Sequence, residues 1–377
     1  METLKIAFYT DSYLPLRDGV VTSIINTREE LERRGHEVYV FASGNRETAK
    51  IAKKDNRLFV IKGIKFNKYP QYTMGLRSSE SKEIRSISPD IIHVHTPFSA
   101  GLFGYRASSI VDTKLIGTFH TMVFSDEVIS SYLTNNPTVV KISKYLMLRY
   151  LKWFYSKMDY IISPTNYIKN ILIKNGLREV NVIPTGMRFS SLKVIKRDYA
   201  RKSLKLKKED KLILYFGRVS REKNVEMLVK AARILDSYGF NIIIAGSGPY
   251  LEELSLLNKK LRNKNVRFTG FVKEEDIPLY YCAADMLCNP SRFETQGLVD
   301  LYASYYSLPI LIPEKTAQAE LLKISKCGET FNANSIKSLA ENAVKIWKNR
   351  ETYKFNKIIK NFDIKNTVDK LITLYNQ

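Results

Sequence analysis

The stretch Ala283-Ala284-Asp285-Met286-Leu287-Cys288-Asn289-Pro290-Ser291-Arg292-Phe293-Glu294-Thr295-Gln296-Gly297-Leu298 passes from an apolar run to a polar loop with one carboxylate, then to a helix start. Residues 283–287 have the short apolar pattern of a strand buried on both faces. The helix beginning near Gly297 offers unpaired backbone N–H groups and a partial positive charge at its N-terminus, which suits a diphosphate. Glu294, just ahead of it, has two readings: it accepts hydrogen bonds from sugar hydroxyls, or it caps the helix.

Outward from this stretch the same strand-then-helix rhythm repeats. Residues 5–10, 37–42, 91–95, 115–120 and 160–164 read as strands in the first half, and 212–217, 241–245, 266–269, 284–289 and 309–312 in the second. Longer amphipathic stretches separate them, the pattern of parallel sheets with crossover helices, so the fold class is α/β with one sheet in each half. At 377 residues the chain exceeds what one core usually supports. Ile183-Pro184-Thr185-Gly186, followed by the charged stretch 193–210 with no clear apolar period, marks the boundary. The predicted domains are 1–185 and 186–356, and residues 344–375 read as helical with no new strand.

The net charge is +22, and it is spread: residues 1–185 hold 26 basic and 17 acidic side chains, the remainder 34 and 21. Nucleic acid, an anionic membrane surface and a polyanionic substrate all fit such a balance. No recognisable nucleic-acid module is present, so nucleic acid is not expected as a partner. No apolar run approaches the roughly 20 residues that span a bilayer, and residues 5–10 read as a strand and not as a signal-peptide core. A cytosolic protein is expected. Cys282, Cys288 and Cys327 show neither paired metal spacing nor an even count, which argues against zinc and a disulfide framework.

Several candidate residues sit at strand ends, the edge where open α/β sheets bind ligands. Gly19, in Arg17-Asp18-Gly19-Val20 ahead of a helix expected over 22–34, would let backbone approach phosphate or simply make a turn. Gly217-Arg218 with Lys223, and Gly246-Ser247-Gly248-Pro249, follow two strands of the second half. Arg218 and Lys223 would neutralise a diphosphate and the charge developing as it leaves, or pair with Glu222 and Glu226. His93 and His95 alternate on one strand and project to one face, too few ligands for a metal. His120 ends a neighbouring strand, where its imidazole reaches a sugar hydroxyl or serves the structure. A helix expected over 138–158 interleaves Lys141, Lys144, Arg149, Lys152 and Lys157 with Leu146, Met147, Leu151, Trp153, Phe154 and Tyr155. It suits a membrane surface or a core.

With these pieces the chain resembles retaining glycosyltransferases of family 4 over nearly its whole length. The landmarks are Thr22-Ser23, Gly35-His36-Glu37-Val38, Asp90-Ile91-Ile92-His93-Val94-His95, Phe119-His120-Thr121, Ser163-Pro164-Thr165, Ile183-Pro184-Thr185-Gly186, Gly217-Arg218 with Lys223-Asn224, and Glu294-Thr295-Gln296-Gly297-Leu298. Within the family it looks most like diacylglycerol glucosyltransferases. The resemblance implies the GT-B architecture, two Rossmann-like domains facing a central cleft, the first binding acceptor and the second nucleotide sugar. A C-terminal helix at about 357–377 is then expected to pack back on the first domain. It implies metal-independent, retaining transfer of a hexose from a nucleotide diphosphate sugar, UDP-linked, with no cofactor. The acceptor is a membrane lipid such as a glycerolipid, or a lipid-linked oligosaccharide or other glycan, reached at the inner face of the cell membrane. His120, Arg218, Lys223 and Glu294 are implied as catalytic. Gly19, Gly246, Gly248, Phe271, Val272, Thr295, Gln296, Gly297, Leu298 and Tyr302 are implied to line the donor site.

Two positions depart from the family pattern. Tyr302 stands where a second glutamate usually holds the ribose, and Asp300, turned by about 200° on the helix, cannot replace it. Asp18 replaces a glycine and is expected to point away from phosphate. Two rival classes remain: a nucleotide-sugar epimerase, for which Asp11, Asp18 and Glu294 are a poor set of acids, and a noncatalytic sugar-nucleotide binding protein.

Overall fold

A computed structural model of the chain describes residues 2–16, 18–66, 69–77, 81–133 and 136–377. Arg17 of the candidate phosphate loop lies outside the described residues. The chain divides into two units, Met1–Met187 with Asp363–Gln377, and Arg188–Phe362.

The first unit holds an eight-stranded sheet: β1 (Lys5–Thr10), β2 (Glu37–Gly44), β3 (Leu58–Phe66), β4 (Tyr69–Arg77), β5 (Ile91–Val94), β6 (Lys114–Thr118), β7 (Tyr160–Ser163) and β8 (Val180–Val182). Their order is β4-β3-β2-β1-β5-β6-β7-β8, with every neighbour parallel except β3 and β4. The second unit has six parallel strands: β9 (Lys211–Phe216), β10 (Phe240–Ala245), β11 (Val266–Gly270), β12 (Met286–Cys288), β13 (Ile310–Pro313) and β14 (Gly328–Phe331), in the order β11-β10-β9-β12-β13-β14. Each sheet reverses its winding beside its first strand, between β1 and β5 and between β9 and β12. A crevice opens at such a reversal because the two connections leave in opposite directions.

Central strands form because both of their faces are covered. Ile6, Ala7, Phe8 and Tyr9 are all fully buried, as are Leu212, Ile213 and Leu214. Each such large side chain contributes about 1.5–3 kcal/mol. The ten expected strands are present, 5–10 with its expected ends and the others with shifted ends, whereas β3, β4, β8 and β14 were not foreseen. β3 interrupts its apolar residues with Lys62, Gly63 and Lys65, and β8 is three residues long. The stretch 193–210 also holds a helix, Arg197–Ser203. Its charge masked the pattern, and buried Arg201 binds the carbonyls of Lys207 and Lys208 and the Asp285 carboxylate.

The C-terminal helix, Ile364–Tyr375, packs Ile364, Val368, Leu371, Ile372 and Tyr375 into the first core beside Ile6, Phe8 and Val38. Ile364 N–H donates to the Met187 carbonyl at 3.0 Å and Thr367 Oγ1 to that of Pro184 at 2.9 Å. Gly186 permits this crossing, since a Cβ there would lie 2.6 Å from Ile364 Cα. The expected span 357–377 is divided, however: the short helix Asn356–Asn361 contacts the Leu298–Tyr305 and Glu320–Ile324 helices and belongs to the second unit. The change of unit falls at Met187 and Phe362, not at 185 and 356, because the backbone joins Met187 to Asp363 as a parallel bridge.

Candidate functional site

In the second unit two loops meet at the β9/β12 reversal. Tyr215 OH donates to the Arg218 carbonyl at 2.7 Å, fixing the turn after β9. The loop after β10 lies against that turn: Gly217 N–H donates to the Ala245 carbonyl and Val219 N–H to that of Ser247, at 3.0 and 2.9 Å. A Cβ on Gly246, at φ +145°, would sit 1.8 Å from the Gly217 oxygen, and one on Gly248 2.2 Å from that of Val219. Both glycines are therefore required by this backbone approach. Gly246 N–H also donates to the Gly270 carbonyl at 2.9 Å, and the next residue, Phe271, is 75% exposed, with Val272 half-buried after it.

The loop after β12 is held from behind. Asn289 Nδ2 donates to both oxygens of the fully buried Asp300 at 3.1 Å and to Gln318 Oε1 at 2.9 Å. Gln318 Nε2 returns to the carbonyls of Asn289 and Ser291 at 3.2 and 2.9 Å. Burial, reinforced by the Glu294 charge, raises the Asp300 pKa well above the carboxylate range. Gly297, at φ +89°, is the N-cap of the Leu298–Tyr305 helix and has no side chain to cap it, and the Glu294 hydrogen bond goes elsewhere. The capping reading of Glu294 is thus not what the structure shows. Instead Glu294 Oε1 accepts from Lys223 Nζ at 2.7 Å, and Asn224 Nδ2 donates to the Pro290 carbonyl at 3.3 Å.

Burial alone would lower the Lys223 pKa, but the Glu294 charge and hydrogen bond outweigh it and raise it, while Arg218 pushes against the same ammonium. The structure brings Arg218, Lys223 and Glu294 together. Glu222 accepts instead from Ser220 Oγ, and Glu226 from Lys230 and Tyr250. Thr295 and Leu298 are half-buried, Gln296 and Gly297 buried. Tyr302 is half-buried one turn into the helix, its ring 6.0 Å from that of Tyr281.

In the first unit the Gly19–Arg33 helix begins three residues earlier than expected, so Gly19 lies in its first turn. Asp18 is its N-cap: Oδ1 accepts from Val21 N–H and Oδ2 from Ser12 Oγ, each at 2.9 Å. The carboxylate is turned to its own helix. Asp11, at the end of β1, accepts from Ser43 Oγ, Thr96 Oγ1, Ser99 Oγ and Ala100 N–H, which ties three strand-end loops together. On β5, His93 is buried with Nδ1 on Tyr375 OH and Nε2 on Thr118 Oγ1, both at 2.7 Å. His95 Nδ1 lies 3.1 Å from His120 Nε2. Burial lowers the His93 pKa to about 3 and that of His120 to about 4, and holds His95 well below the usual imidazole value.

Three features escaped the sequence reading: the Asn289–Asp300–Gln318 network, the Tyr375–His93 bond and an exposed apolar face on β3 and β4. Only the last left a local signal, the alternation of Ile64, Met74 and Leu76 with Gly63, Lys65, Thr73, Gly75 and Arg77.

Glycosyltransferase Family 4 matches residues 17–190, and Glycosyl transferases group 1 matches residues 196–362. The chain is 30% identical over 321 residues to alpha-monoglucosyldiacylglycerol synthase of Streptococcus pneumoniae, covering 82% of this chain and 70% of that one. It is 29% identical over 374 residues to the synthase of the same name from Acholeplasma laidlawii, covering 92% and 89%. Among solved structures it is similar to Anabaena HepE in complex with UDP and glucose, with a TM-score of 0.77 at 18% identity over 99% of this chain and 100% of that one. Sucrose-phosphate synthase from Thermosynechococcus elongatus gives 0.74 at 17% identity over 99% and 98%. These likenesses show the fold, which is of the GT-B class.

Proposed function

The chain belongs to glycosyltransferase family 4 and is a hexosyltransferase; on that premise we propose that it moves glucose from a UDP-linked donor to the hydroxyl of a glycerolipid at an anionic membrane surface, with retention. The observation that carries the acceptor is the likeness to two synthases named for monoglucosyldiacylglycerol, over most of both chains. The UDP complex of the HepE neighbour supports the donor base.

In the transfer, the bond from sugar C1 to the diphosphate oxygen breaks and the bond from C1 to the lipid oxygen forms on the same face. The hydroxyl proton passes to the departing diphosphate, whose charge Arg218 and Lys223 offset in place. Glu294 holds donor-sugar hydroxyls and His120 a further one. Gly19 approaches the diphosphate, Phe271 and Val272 lie by the base, and the Tyr302 phenol takes a ribose hydroxyl that a carboxylate would otherwise hold.

The membrane contact rests on the Pro137–Tyr155 helix, which has no acidic residue. Its Val140, Leu151, Phe154 and Tyr155 point into the core, while Ile142, Tyr145, Leu146 and Trp153 are 46–59% exposed. Lys141, Arg149, Lys152 and Lys157 are exposed with them, each contributing about 1 kcal/mol near an anionic leaflet. Lys144 is committed to Asp126 at 3.0 Å. Ile64, Met74 and Leu76 of β3 and β4 are 52–58% exposed. The 97–99 turn links this hairpin to the helix, since Tyr150 OH donates to the Pro97 carbonyl and Gly75 N–H to Ser99 Oγ. Among the described residues no helix is long and apolar enough to cross a membrane. Placement at the inner face of the cell membrane follows from the donor's supply there.

Incubation with radiolabelled nucleotide sugars and chelator, with either diacylglycerol vesicles or soluble glycans, tests this reading. Label from UDP-glucose in the organic phase is expected. Label in the aqueous glycan would move the acceptor off the membrane, and donor binding without transfer would favour the noncatalytic rival.

A further inference from the structure

His93, His95 and His120 form one stack in the first unit. The rings of His93 and His95 lie 4.3 Å apart at 25°, and those of His95 and His120 5.4 Å apart at 20°. His93 is bonded at both nitrogens, to Tyr375 and Thr118. His95 differs: its Nδ1 meets His120 Nε2 at 3.1 Å, and its Nε2 is buried with no hydrogen-bond partner among the described residues. Phe8 packs edge-on against the His95 ring, with centroids 4.6 Å apart.

Burial keeps all three imidazoles neutral, so each carries one N–H. Two neutral rings sharing a hydrogen bond have two arrangements. If His120 Nε2–H donates, the His95 proton is left on Nε2, an orphaned N–H in a buried site. If His95 Nδ1–H donates, only a lone pair is left there. Buried orphan donors are the rarer and costlier defect.

We propose that His95 is a positioning residue: it donates from Nδ1 to His120 Nε2 and so fixes His120 as the Nδ1–H tautomer. Both His120 lone-pair positions are then taken, one by the proton and one by His95. With its proton on Nδ1 and its Nε2 engaged by His95, His120 takes no proton from the acceptor hydroxyl. This role presupposes that His120 stands beside the transferred sugar, as proposed above; the tautomer does not.

Two-bond proton–nitrogen correlation spectra of the full chain, labelled with nitrogen-15 histidine and assigned with His120→Gln, read the tautomer without any turnover. The expected pattern is His120 protonated at Nδ1, and protonation at Nε2 would overturn the proposal. Kinetics add a second readout, because Asn and Asp at position 95 share a shape but only Asn donates. His95→Asn should keep kcat near wild type, while His95→Asp should lower it about tenfold with the donor KM unchanged. Equal loss in both variants would contradict a donor role. If the wild type transfers nothing, the functional reading fails while the spectra still decide the tautomer.

Discussion

Lys223 Nζ lies 2.7 Å from Glu294 Oε1, although 71 residues separate them along the chain. The bond closes the β9/β12 reversal, with 28% of the lysine and 17% of the glutamate side chain exposed. Each group is thus reachable by a ligand that offers the partner it lacks. On the proposed reading a donor diphosphate would meet the ammonium and sugar hydroxyls the carboxylate, so the ligand would replace an internal pair with two external ones.

Lys223→Met and Glu294→Gln should each lower kcat/KM by about 10²–10³-fold, the scale of removing one preorganised charge-stabilising group. The double variant should lose less than the product of the two, because the residues share one interaction. Steady-state kinetics beside thermal unfolding check this; multiplicative losses would separate their roles.

In the second unit stability should fall as pH rises. Above about pH 4 the unfolded chain has released the Asp300 proton, whereas burial makes the folded chain keep it until its raised pKa is reached. Asp300→Asn removes that proton linkage and should flatten the slope of stability between about pH 5 and 8. Urea titrations monitored in this unit decide it, and an unchanged slope would show that Asp300 is ionised in place.

The first unit should respond with the opposite sign. Unfolded histidines take up protons below about pH 6.5, while the folded rings, with pKa values lowered by burial to about 3 for His93 and about 4 for His120, stay neutral. Stability is therefore full above about pH 6.5 and lost progressively as pH falls toward those values. Tyr375→Phe leaves His93 Nδ1 without its partner and should cost about 1–3 kcal/mol by denaturant unfolding. No change would mean the bond contributes little to holding the C-terminal helix.

Much of the fold was legible because fully buried parallel strands write themselves as apolar runs, as in Lys5–Thr10 and Phe240–Ala245. β3 and β4 were not, since their outer faces alternate with charge and glycine at a sheet edge. Nor was the Arg197–Ser203 helix, whose buried Arg201 looks like surface in sequence. At the candidate site, residue types and strand ends singled out Arg218, Lys223 and Glu294 as candidates, but no local pattern pairs residues 71 apart. Gly246 and Gly248 were legible only as a glycine pair following a strand, while the reason for them, backbone contact with Gly217 and Val219, is purely tertiary.

The exposed face of the Pro137–Tyr155 helix gives a further test. Leu146→Ser with Trp153→Ser removes exposed apolar surface and should weaken binding to vesicles containing phosphatidylglycerol several-fold, while thermal stability changes little. Vesicle sedimentation at low and high salt reads both the apolar and the charge contributions. Equal binding to neutral and anionic vesicles would remove the basic face from the account.

The most direct test of the central claim is the identity and anomeric configuration of the organic-phase product formed from UDP-glucose and diacylglycerol in the presence of chelator, determined by nuclear magnetic resonance. The account expects an α-glucosyl diacylglycerol, formed about 10²–10³-fold less efficiently by Glu294→Gln. A β-linked product would contradict retention, and a glucosylated product confined to the aqueous phase would contradict the lipid acceptor.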